Sequence, residues 1–195
     1  RRRAVMDVLS PAYRDIATSE FQKLLDLGAA GWLFDEVCHH GPALYNFAPG
    51  HGYAPPGYIY AGDLPLAAQL RAAADKVNPA FLFAGEGPQD WLAQYYPVSE
   101  TGVTAVPICQ YLDSRLPLLM GVSGFDDREA LNLALLLHYV IQYEPYYYKG
   151  RLGDFPLTMA YGQKIDALRR KYKAYLWGAD LRDTLGAQVT AKGSY

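Results

Sequence analysis

Apolar and polar positions along the chain change period several times, and each change marks a predicted element. Between Ser10 and Leu27 the apolar Ile16, Phe21, Leu24, Leu25 and Leu27 stand out of a polar background. With Ser10 as N-cap, Pro11 at the first helical position and Gly28 as terminator, this stretch predicts a helix. "GWLFDEV" (31–37) then reads as a strand buried on both faces. "GPALYNFAPGHGYAPPGYIYAG" (41–62) has no helical period and is expected to form a long, aromatic-rich functional loop. Asp63 is expected to cap a helix over "LPLAAQLRAAADKV", and "NPAFLFAGEG" supplies a second apolar strand. A helix around "PQDWLAQYY", a third strand over 103–111 and a fourth in "PLLMGVS" follow. A long apolar helix is expected from Asp126 to Tyr143 and another over about 157–176, before a tail whose alternation suggests strand.

Strands and helices alternate, so the chain is expected to be α/β, with βα units and a parallel sheet. Parallel strands present functional groups at their C-terminal ends. Asp35, Glu36 and Glu86 fall there, each after an apolar run. Neighbouring strands lie about 4.8 Å apart, which brings two strand-end carboxyls within the roughly 5–10 Å that separates the paired acids of glycosidases. One such acid can stay ionised while the other is kept protonated, as glycosidic bond cleavage requires. Successive residues of a strand point to opposite faces, so only one of Asp35 and Glu36 faces the centre, and Asp35 is preferred. Glu86 has a second reading, as a cap for the helix expected after it.

Around these acids lie candidate substrate contacts. Glu36, His39 and His40 follow Asp35, and Trp91 follows Glu86; Tyr111 and Arg115 flank Asp113, a third candidate acid. A guanidinium orients carboxylates or holds sugar hydroxyls, and Trp91, Tyr53, Tyr58 and Tyr95 offer faces on which a sugar ring stacks. His51 in the long loop is a further candidate contact, whereas His138, inside an apolar stretch, reads as a core histidine.

Composition narrows the classes. With 18 basic against 20 acidic residues in 195, the chain offers no broad attraction to nucleic acid or anionic lipid. No 18-residue apolar run or signal-peptide pattern occurs, so no membrane partner is expected. Cys38 and Cys109 match neither a disulfide framework nor a zinc spacing, and no structural metal is expected. No GxSxG elbow, GxGxxG or Walker loop is present, and no cofactor is implied. Seventeen tyrosines, clustered in "QYY" and "QYEPYYYKG", suit half-buried grooves.

"SPAYRDIATSEFQKLLDLGAAGWLFDEVCHH", "AFLFAGEGPQDW" and "EPYYYKGRLGDFP" together resemble the catalytic barrels of glycoside hydrolases of the broad alpha-amylase and endo-alpha-N-acetylgalactosaminidase kind, over about residues 6–178. The resemblance implies a TIM (β/α)8-type barrel, here its C-terminal portion from about strand 4 to strand 8; residues 179–195, by their alternation, are expected to start a following β module. It implies a glycosidase acting on a carbohydrate, with Asp35 as nucleophile and Glu86 as acid/base, a retaining mechanism, and His39 at a substrate-binding position. In related alpha-galactosidase-like barrels the acid/base sits on the sixth strand, which would move that role to Asp113. Leu33 stands where the amylase pattern has arginine, which motivates one rival, a carbohydrate-binding barrel without catalysis. The other is a metal-dependent hydrolase using Asp35, Glu36, His39 and His40.

Overall fold

The computed structural model describes residues 5–37, 42–87, 89–101, 108–122, 124–182, 185, 186 and 188. It is a mixed α/β fold whose five-stranded sheet is flanked by helices. Its elements run α1 (Pro11–Asp26), β1 (Gly31–Phe34), β2 (Tyr45–Asn46), β3 (Gly57–Tyr58), α2 (Asp63–Val77), β4 (Leu82–Glu86) and β5 (Val98–Glu100), then α3 (Ile108–Leu112), β6 (Leu118–Val122), α4 (Arg128–Leu136), β7 (Val140–Tyr143), α5 (Pro156–Lys171) and α6 (Lys173–Leu176). The sheet order is β1-β4-β5-β6-β7, and β2 and β3 form a separate antiparallel pair. The chain divides into two compact units, Arg1–Gly102 with Pro117–Leu119, and Val103–Leu116 with Met120–Tyr195.

In the first unit the parallel register aligns Trp32 with Phe83 and Leu33 with Ala84, so the two sets occupy opposite faces of the β1–β4 pair. The Trp32 and Phe83 face packs on the helices. Phe21, Leu25, Leu66, Leu70, Phe81, Phe83 and Tyr96 form its buried core, with the Phe21 ring 4.8 Å from Trp32 and 5.6 Å from Phe83. Arg71 closes the end of this core: its guanidinium lies 4.9 Å over the Phe83 ring and donates to the Phe81 carbonyl at 2.7 Å. The opposite face is more open, with Leu33 41 % and Leu82 51 % exposed.

The helix α1 ends as its glycine predicts. Gly28 takes φ +82°, its N–H donates to the Leu25 carbonyl, and the Ala29 N–H reaches back to the Leu24 carbonyl, the two bonds of a Schellman motif. Ser10 stands at the N-cap but makes no capping bond through its side chain, and Ile16 and Leu27 face outward rather than into the core.

In the second unit α4 and α5 are joined at their starts. The Thr158 hydroxyl accepts the Asp127 N–H at 3.0 Å and donates to the Gly124 carbonyl at 3.1 Å, while Asp127 accepts the Gly124 N–H at 2.6 Å. Three expected elements differ here. The long helix 126–143 stops at Leu136: His138 turns to φ +60°, the Tyr139 N–H closes on the Ala134 carbonyl at 2.9 Å, and the chain re-emerges as β7. Within the third strand expected over 103–111, Ile108–Leu112 is a helix, and the strand of that region lies earlier, at Val98–Glu100. The helix expected over 157–176 breaks at Tyr172 into α5 and α6.

Residues 90–95, expected to be helical, form consecutive turns. Residues 103–107 and most of the tail 183–195 lie outside the described residues.

Candidate functional site

The strand ends of the first unit bring the acids together. Phe34 pairs with Gly85, so Asp35 follows β1 at the level where Glu86 ends β4. β1 does not run on through Asp35 and Glu36 as the pattern suggested; it stops at Phe34, and Glu36 adopts φ +54° in the turn beyond. That turn aims the Glu36 N–H at Glu86, whose Oε2 accepts it at 2.7 Å. The Glu86 carboxylate is thereby held against the peptide that links Asp35 to Glu36. Among the described residues no helix directly follows Glu86 for it to cap; its carboxylate fastens the end of β4 to the end of β1.

A third acid was missed in the sequence. Glu100 is the register partner of Glu86 across β4 and β5, so the two side chains leave the sheet on the same face. The Gly87 N–H donates to the Glu100 carbonyl at 3.2 Å, continuing the pairing past the strand end. β5 is only three residues long, "VSE", and carries no apolar run, which is why hydrophobic pattern passed over it. The signal was Val98 and Thr101 bracketing an acid directly after a proline-ended turn.

The loop after β1 is anchored by Asp7. Its Oδ2 accepts the Asn46 side-chain amide at 2.9 Å and the Tyr53 hydroxyl, and His51 Nδ1 lies 3.5 Å away. Burial alone would raise the Asp7 carboxyl, but the bonds from Tyr53 and Asn46, with His51 close by, outweigh it and hold it below the usual carboxylate value. Burial, and then the bond to Asp7, push the Tyr53 phenol upward. Tyr53 and His51, expected as ligand contacts, therefore hold the loop in place.

The exposed aromatics of this loop include Phe47 and the pair Tyr45 and Tyr58, register partners on β2 and β3 with rings 5.5 Å apart. Trp91 and Tyr95 pack half-buried against the core and are not open platforms.

His39 and His40 lie outside the described residues, as does Cys38. Among the described residues, no group of three or more His, Cys, Asp or Glu side chains is placed to hold a metal ion, and no helix is long and apolar enough to cross a membrane. Tyr111, Asp113 and Arg115 belong to the second unit; Tyr111 lies in the short helix α3, and Asp113 and Arg115 follow that helix instead of ending a strand. Asp113 Oδ1 accepts the Arg115 N–H at 3.0 Å, an ordinary turn bond. His138, read as a satisfied core histidine, sits in the turn after α4 with its Nδ1 buried and lacking a hydrogen-bond partner.

No family model matches the chain, and no curated protein matches it.

Proposed function

We propose that the chain is the catalytic region of a glycoside hydrolase built on part of a (β/α)8-type barrel, from about its fourth strand to its eighth. Asp35 attacks the anomeric carbon and Glu86 protonates the departing glycosidic oxygen. One observation carries this reading: the Glu36 N–H donates to Glu86 at 2.7 Å, which places the carboxylate of one strand end against the backbone of the other. Retaining glycosidases need two carboxyls about 5–5.5 Å apart, and adjacent parallel strands spaced about 4.8 Å apart supply such a separation.

The barrel reading draws on the two faces of the first unit's sheet. One is covered by α1 and α2. The other carries Leu33, Leu82, Ala84 and Val98 up to the acids, as the interior of a barrel wall would.

In the first step the Asp35 carboxylate forms a bond to the sugar as the glycosidic C–O bond breaks and Glu86 gives its proton to the leaving oxygen. In the second, Glu86 takes a proton from water, which attacks the anomeric carbon and releases Asp35. The bond from the Glu36 N–H fixes the Glu86 rotamer, so that the same group serves both steps without searching for its position. Tyr45 and Tyr58 offer ring faces to the sugar chain on the loop after β1.

The test uses a panel of aryl glycosides. Asp35→Asn and Glu86→Gln are each expected to lower turnover by roughly 10²- to 10⁴-fold, with the circular dichroism spectrum of the unmodified protein. Equal rates in both variants and the parent would remove the assignment.

A further inference from the structure

Within the second unit, α3 and the turn after it line a cavity together with residues 180–182. Its volume is about 480 Å³, within the range of small-molecule sites. Four charged side chains stand in its walls, Asp113 and Asp180 with Arg115 and Arg182, so the lining is neutral overall. Much of this charge is already matched. Arg115 Nε lies 3.3 Å from Asp180 Oδ1, which also accepts the Ser114 hydroxyl at 3.4 Å, and Asp113 holds the Arg115 backbone N–H.

A ligand carrying its own charge would compete with the Arg115–Asp180 pair. A neutral ligand bearing many hydroxyls adds to that pairing, because carboxylate oxygens have several acceptor positions and a guanidinium has five N–H groups in a fixed fork. Beside these groups the exposed Tyr111 supplies a ring face of the type on which a pyranose lays its C–H bonds.

We propose that this cavity is a carbohydrate-binding site for one neutral pyranose unit. Asp113, Asp180 and Arg115 bond its hydroxyls, and Tyr111 stacks on its face. The assignment stands on the cavity alone and does not require Asp35 and Glu86 to be catalytic.

The experiment titrates the full chain separately with glucose, galactose and N-acetylgalactosamine, following backbone amide shifts by NMR. At least one sugar is expected to give saturable shifts at residues 110–115 and 180–182. Arg115→Ala and Tyr111→Ala, both exposed positions whose loss leaves the core intact, are expected to weaken it by about tenfold, the effect of losing one charge-assisted hydrogen bond or one stacking face. Asp35→Asn with Glu86→Gln is expected to leave these shifts in place, so a failed active-site assignment and a failed binding site give different results. No saturable response to any of the three sugars would overturn the proposal. So would a response there to inorganic phosphate or glycine alone, or unchanged affinity in both alanine variants.

Discussion

Asp7 shows how much a single side chain decides in this protein. It lies in the segment before α1, and through Asn46, Tyr53 and His51 it holds the loop that follows β1. Its carboxyl is held below the ordinary value of 3.8, so the unfolded chain takes up its proton at a higher pH than the folded one. The stability this carboxylate contributes is complete above 3.8 and is lost as the pH falls through the lower folded-state value. Asp7→Asn is therefore expected to lower stability at neutral pH by about 1–2 kcal/mol. It should also flatten the part of the acid-induced loss that falls below 3.8 in the parent. Denaturant titrations of both proteins across that range check it, and identical pH profiles would show that Asp7 does not anchor the loop.

At the level of elements, two helix ends show what the sequence discloses and what it hides. Both α1 and α4 stop with a residue in the left-handed region, Gly28 at φ +82° and His138 at φ +60°, and in both the N–H of the following residue donates to the carbonyl five residues before it, Ala29 to Leu24 and Tyr139 to Ala134. The helices end by the same geometry, but only the glycine announces it. Gly28→Ala meets no atom within 4 Å, so its cost is the backbone conformation alone, about 1–2 kcal/mol. His138→Gly should gain about 1 kcal/mol by the reverse argument.

It should also remove an acid sensitivity. Burial, reinforced by the Arg169 charge, holds the His138 imidazole below 6.5, so the unfolded chain protonates first and stability falls as the pH drops below that value. Thermal unfolding at neutral and mildly acidic pH measures both effects. A His138→Gly protein less stable than the parent at either pH would contradict them.

The same contrast explains the other elements. β1 and β4 were readable because each is an apolar run between breakers, and their acids because they end those runs. β5 was not, because Val98–Glu100 pairs on both sides and needs no apolar run of its own to hold its place. The continuous apolarity of 130–143 concealed the change from helix to strand, since both elements bury Leu, Val and Tyr and periodicity alone does not separate them. Trp91 is ambiguous for a related reason: a tryptophan near an acid serves core or ligand equally well, and here it packs half-buried against the core of Phe83 and Tyr96.

At the scale of the whole molecule, the open side of β1 sets the next expectation. β1 is an end strand of the sheet, and among the described residues no strand pairs along its outer side. Its neighbouring face exposes Leu33 and Leu82. A sheet edge with unpaired N–H and C=O groups beside apolar side chains is a template for association, and proteins commonly block it with charge. No Lys or Arg stands in "GWLF" or "LFAGE". The chain is therefore expected to self-associate with rising concentration through this edge, in the way that a barrel closes its own strands.

Leu33→Lys with Leu82→Lys places two charges on that face without touching the core on the other side, where Trp32 and Phe83 pack. Sedimentation velocity over a concentration series should show larger species in the parent and a single slower one in the double variant, with equal helix content by circular dichroism. If the parent sediments as one monomeric species throughout, the edge is protected in some other way, and the comparison with an interrupted barrel wall loses its main physical consequence.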